Sequence, residues 1–189
     1  GNHEEAYRFG QLALKLQDQQ GIARMLPPTY PLIYMFFHHW KHLLRDCLDP
    51  LRFAYEAGMA IGEVDGGFLA IQTYTAIAFH CGVPLEDVEK VHRQYCRQMC
   101  DFDHRSQALL ALPCWQLCLN LLGMSDSPPS ELTGEAIQEE QFAQEAEESG
   151  NLLAQNSLDL AKLILSYCLG DRLGLEKKID GVKMPMKVG

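Results

Sequence analysis

PLIYMFFHHWKHLLRDCLDPLRFAYEAGM, from Pro31 to Met59, is the stretch against which the rest of the chain is read. It opens almost wholly apolar, breaks at a short polar step near Lys41, and continues as an amphipathic segment with mixed charges. A buried helix followed by a half-buried one is the unit of a helical-hairpin array. The spacing predicts the buried helix over about Pro31 to Trp40 and its partner over Leu43 to Ile61, with a candidate kink at Pro50 and an end near Gly62.

Comparable units lie on both sides. Upstream, Ala6, Phe9, Ala13 and Leu16 recur at helical spacing and predict a helix over Gly1 to Leu16, with a polar loop at Gln17 to Gly21. Of this helix's Phe9 and Leu12, one is expected to pack inward and the other not. Pro27, Pro28 and Pro31 are expected to break or kink any helix begun at Ile22 to Leu26.

Downstream, DGGFLAIQTYTAIAFHC (Asp65 to Cys81) is apolar nearly all round, as a helix flanked on two sides must be. Gly82 ends it. The next helix, Pro84 to Cys100, carries Glu86, Asp87 and Glu89 early and Arg93 and Arg97 late, matched to its dipole. Its apolar stripe is Val88, Val91, Tyr95 and Met99. Arg105 to Leu122 reads as a buried helix kinked at Pro113. An irregular segment follows at Ser125 to Thr133, then a weakly amphipathic helix at Gly134 to Ser149. A strong helix at Asn151 to Leu169 has Leu153, Leu160, Leu163, Ile164 and Tyr167 assigned to its packed side. Hairpin turns fall near Gly1, His42, Gly82 and Gly123, about 40 residues apart, and again at Gly170 after a longer step. A period near 40 with two helices per unit belongs to helical solenoids. The expected fold is all-α: about eight helices in antiparallel pairs, stacked as a tetratricopeptide-like superhelix over residues 1–170, with a poorly ordered tail at 171–189.

The 189 residues are 47% hydrophobic and 22% charged, a globular balance. A net charge of −9 disfavours nucleic acid or an anionic membrane as the main partner, because both are bound through clustered Lys and Arg. Much of that excess sits in the seven Glu between Glu131 and Glu148, read as a solvated helix face in preference to a docking surface for a basic partner. The most apolar run, Ala108 to Leu122, is interrupted by Pro113, Gln116 and Asn120 and is not expected to cross a membrane. The opening Gly1-Asn2-His3 is read as the start of a fragment of a longer chain. Cysteines 47, 81, 96, 100, 114, 118 and 168 mostly sit within helical patterns and are expected to be reduced, buried small apolar residues of a cytoplasmic protein.

No catalytic, cofactor-binding or metal-ligating residue is assigned. His92, Cys96 and Cys100 lie at successive fourth positions, and Cys114 and Cys118 repeat the spacing. That set could approach a zinc site, but structural zinc normally uses cysteine pairs in turns. Gap-filling between helices is preferred. His38 and His42 are also four apart and lack a third ligand; rings satisfied at the hairpin turn are expected. Trp40 is expected to staple its helix to a neighbour. No G-x-x-x-x-G-K-[ST] phosphate loop, H-R-D loop or D-F-G occurs.

GNHEEAYRFGQLALKL resembles the second helix of a tetratricopeptide repeat. With HHWKHLLRDCLDPLRFAYEAGMAIGEVD, LCLNLLGMSDSPPSELTGEA and LAKLILSYCLGD, it is similar to the helical region of large multi-domain bacterial sensor kinases. The resemblance covers roughly Gly1 to Asp171; Pro27, Pro28, Pro31 and the C-terminal tail depart from it. That family joins a kinase-like domain, a P-loop signalling ATPase, helical repeats, a GAF domain and often a histidine kinase. The resemblance implies a non-catalytic interaction or coupling module whose partners are proteins, neighbouring domains or a signalling partner, with no cofactor. The alternative is a stand-alone adaptor binding a peptide or helix in its groove. Weak self-association is expected through the uncovered apolar face of the first helix.

Overall fold

The computed structural model describes residues 2–20, 25–126 and 128–171. Among these the chain is all-α, with eight α-helices, two short 3₁₀ turns and no strand. None of the helices is long and apolar enough to cross a membrane. The chain divides between Asp103 and His104 into two compact units. Gly1, residues 21–24 and the tail beyond Asp171 lie outside the described residues, and with them the expectations placed there.

In the first unit α1 runs from His3 to Gln20, past the polar loop expected at Gln17, because polar Gln residues continue a helix readily. Its packed side is built around the buried Gly10. A Cβ there would sit 3.5 Å from Ile33 and 3.6 Å from Phe37, in ordinary contact, so this position faces α2 and the turn after it. Phe9 and Leu12 are both exposed, where one had been expected to turn inward.

Next, α2 spans Leu26–Phe36 and starts before the predicted boundary. Pro27 and Pro28 occupy its first turn, where a missing N–H costs nothing, so they begin the helix and do not break it. Pro27, Pro31, Ile33 and Tyr34 are buried, but Leu32, Met35 and Phe36 face solvent. The helix expected to be buried is therefore half-covered. It also ends early: His38–Trp40 is a 3₁₀ turn, and a second, Leu44–Cys47, precedes α3 (Leu48–Ile61). Pro50 falls in the first turn of α3 and not at a kink.

Gly62, in the left-handed conformation at φ 75°, turns the chain from α3 into α4 (Val64–His80). The Glu63 carboxylate then caps α4 by accepting from the Gly66 N–H at 2.9 Å. The two helices close to backbone contact, since a Cβ on Gly58 would lie 2.9 Å from the Gly67 Cα. Helix α4 lies against α2, α3 and α5 (Leu85–Asp101), which accounts for its apolar character on nearly every side. On α5, Val88, Tyr95 and Met99 are buried as the stripe predicts, while Val91 is half-covered and Glu89, His92 and Cys96 join the core.

In the second unit α6 (Arg105–Leu121) and α8 (Leu152–Cys168) pack together, with α7 (Glu139–Glu148) against α8. Helix α7 starts five residues later than predicted because 134–138 are held by side chains of α6. The fully buried Gln116 accepts from the Ala136 N–H at 2.9 Å and donates to Asn120 Oδ1 at 2.8 Å. Asn120 Nδ2 donates to the Pro129 and Glu131 carbonyls. Two amides that interrupt the apolar run thus satisfy the backbone of a loop that would otherwise lack partners. Pro113 lies buried inside α6.

The packed side of α8 is the reverse of the predicted one. Ala154, Leu158, Ala161 and Leu165 are buried, whereas Leu153 (64% exposed), Leu160 (52%) and Tyr167 (75%) face solvent and Leu163 and Ile164 are half-covered. The alanines let α8 settle close to its neighbours, and the Ser157 hydroxyl donates to the Leu110 carbonyl of α6 at 2.7 Å.

Candidate functional site

A groove of about 270 Å³ opens between α3, α4 and α5, lined by Arg52, Tyr55, Glu56, Tyr74, Gln94 and Tyr95 among others. Its floor is apolar, since Ile71 and Tyr95 are buried, and its rim carries charge and amide. Arg52 lies over the edge of Tyr74, 5.1 Å from the ring centre, and donates to its hydroxyl at 2.6 Å. The Tyr74 hydroxyl keeps its own proton to donate, and the guanidinium has further donors. Tyr55 donates to Gln98 at 2.5 Å; burial raises its pKa, offset by the bond to Gln98 and reinforced by the nearby Glu56. Donors and acceptors at the lip of an apolar floor suit an extended or helical peptide with a polar side chain to place.

Behind the groove, Tyr95 and His92 share a hydrogen bond at 2.7 Å, and Thr75 Oγ1 lies 3.2 Å from the same hydroxyl. Burial drives the His92 pKa down to about 3, so the ring is neutral and serves as a satisfied core partner.

Four other histidines, His3, His38, His39 and His42, gather where α1 meets the turn after α2. His38 and His42 stack with ring centres 4.2 Å apart, Tyr7 bonds His42 Nε2 at 2.8 Å, and Trp40 stacks on His3 at 4.2 Å. Trp40 thus joins its turn to α1 and leaves half its surface in solvent. The expectation that the histidine rings would be satisfied at the turn holds for His42. His38 and His39 each keep a buried Nδ1 without a partner.

His92 and Cys96 are buried on α5 while Cys100 is exposed; on α6, Cys118 is buried and Cys114 is half-covered near Ser157. No group of three His, Cys, Asp or Glu side chains placed to hold a metal occurs among the described residues. None of the cysteines is in a disulfide. Burial, the nearby Asp46 and Cys81 push the Cys47 thiol up to about 11, so it is unreactive as well as buried.

Within the acidic run, Glu139 pairs with Lys162 and accepts from the Leu132 N–H, and Glu145 takes Arg105. Glu131, Glu135, Glu140, Glu147 and Glu148 are exposed. The run is therefore part structural and part solvated face. The groove residues were not singled out from the sequence, because Tyr55, Tyr74 and Tyr95 converge only once the three helices have their register.

No protein family, curated protein or solved structure matches the chain.

Proposed function

We propose that this chain is a non-catalytic protein-interaction and coupling module, an array of helix pairs similar to tetratricopeptide repeats, of the kind that links domains in cytoplasmic multi-domain sensor kinases. The observation that carries the reading is the row of Leu153, Leu160 and Tyr167 on α8, large apolar side chains left in solvent on a helix whose opposite side is fully packed. Helical arrays bury each unit only against the next, so an uncovered apolar face on such a helix is where a further segment or a partner docks. The arrangement of the imidazoles and thiols supports the non-catalytic part: His92 is tied to Tyr95, and the Cys47 thiol bonds the Tyr34 carbonyl at 3.6 Å. The groove beside Arg52 and Tyr74 favours a second reading, in which the chain is an adaptor that takes a peptide there.

Photo-cross-linking in the cells that make the protein tests the first reading. With a benzophenone residue at Leu160, we expect one discrete covalent product, with the attached peptide coming from the same polypeptide or from a signalling kinase. The same probe at the exposed Glu147 should give none. Products equal at the two positions, or scattered over unrelated proteins, would count against the α8 face. A discrete product from Tyr55 alone would favour the adaptor.

A further inference from the structure

We propose that the groove between α3, α4 and α5 is a receptor site for a free α-amino acid with an apolar side chain. Its carboxylate is held by Arg52 and Tyr74, and its ammonium by Glu56. The groove is the one that the adaptor reading would fill with a peptide; its size and its charges favour the smaller ligand. At about 270 Å³ it falls below the roughly 300–1,000 Å³ of sites for drug-sized molecules.

The two charges are opposite, close and not paired with each other. Arg52 and Glu56 stand four residues apart on α3 and both line the groove, so their Cβ atoms are about 5–6 Å apart. That spacing permits an ion pair, yet among the described residues none joins them. Arg52 instead reaches across to α4 and donates to the hydroxyl of Tyr74, a residue only 8% exposed. The hydroxyl proton and the remaining guanidinium N–H groups thus lie side by side, and a carboxylate laid there gains charge-assisted bonds from both. Glu56, one turn further along α3, supplies the acceptor for an ammonium. In an α-amino acid the two charged groups share one carbon, so a single molecule closes the gap that the two side chains leave open. A ligand with the carboxylate alone would meet Glu56 as a like charge, and one with the ammonium alone would meet Arg52. The floor selects the side chain. Ile71 and Tyr95 are buried and Val91 is half-covered. The Tyr95 hydroxyl is taken by His92 and Thr75, so its contribution to the groove is ring carbon. A charged side chain would lose hydration there without a partner, whereas an aliphatic or aromatic one gains by burial.

Two-dimensional ¹H–¹⁵N NMR of the whole chain reads the site, with L-leucine titrated to about 10 mM, above the millimolar end of the affinity scale. Saturable shifts should fall on the amides of 52–56, 71–74 and 91–95. Leucinamide and N-acetyl-leucine, each lacking one charge, should bind about tenfold more weakly, which is what one charge-assisted hydrogen bond is worth. L-Aspartate should be weaker still. Arg52→Gln and Glu56→Gln, both at exposed positions, should each weaken leucine about tenfold with helix content unchanged by circular dichroism. Arg52→Gln should spare leucinamide and Glu56→Gln should spare N-acetyl-leucine, crossed effects that a merely structural role would not give. No saturable shift, shifts lying elsewhere, analogues that bind as tightly as leucine, or variants that bind leucine unchanged would each overturn the proposal. Binding of an apolar peptide at these amides without binding of leucine would overturn it too, and would leave the adaptor reading standing.

Discussion

His92 shows how far one buried side chain sets the acid response of the first unit. Its ring is neutral in the fold, with a pKa near 3 against 6.5 in the unfolded chain, because burial denies the imidazolium its solvation. The sign follows from the lowered value: the unfolded chain binds the extra proton, so stability is full above about pH 6.5 and is lost as the pH falls toward 3. The whole shift corresponds to at most ~5 kcal/mol. Urea unfolding at pH 7 and pH 4, followed by circular dichroism, should show a smaller loss in His92→Gln than in the wild type. Equal losses would mean that the paired carboxylates, and not this ring, carry the acid sensitivity. The sequence placed His92 in a helical pattern of thiols and could not show this role: Tyr95 stands three residues along the same helix, but the burial that sets the ring's charge comes only once the neighbouring helix packs and Thr75 meets the Tyr95 hydroxyl.

At the scale of elements, the α3–α4 hairpin depends on missing side chains. Gly58 stands where a Cβ would meet the Glu63 carbonyl at 2.8 Å and Gly67 Cα at 2.9 Å, both backbone atoms that cannot step aside. Gly58→Ala should gain from helix propensity but lose more to the forced separation, a net cost of about 1–3 kcal/mol measured by urea unfolding. A neutral or stabilising effect would show that the two helices can part without loss. The helix ends marked by glycine were legible because their signal is local: Gly62, Gly82, Gly123 and Gly170 all carry positive φ just beyond a helix, whereas the ends of α1 and α2 carry no such signal and were misplaced. The starts of α2 and α7 were not legible. Pro27 and Pro28 read equally as breakers and as first-turn residues, and the loop before α7 is fixed by Gln116 and Asn120, side chains of the preceding helix. The side of α8 was misread for a different reason. Apolar residues occupy both faces, and the packed one is chosen by the small size of Ala154 and Ala161, which a hydrophobic pattern ranks below leucine.

For the whole molecule, an all-helical chain in two compact units has left part of its apolar surface unspent on its own core. Leu32, Met35 and Phe36 on α2 and Phe9 on α1 share this trait with the row on α8. The all-α character was legible from periodicity alone, whereas the use of these faces depends on what covers them. The proposed function requires the α8 row to be dispensable for folding, so that its apolar surface serves a partner. The direct measurement is the urea unfolding of Leu153→Glu/Leu160→Glu, read by the fluorescence of the buried Trp115 on α6, with Trp40 replaced by Phe in both proteins. The double variant should unfold within about 0.5 kcal/mol of its parent, as exposed substitutions do. A loss of several kcal/mol would show that Leu153 and Leu160 belong to the core, and the docking face would not exist.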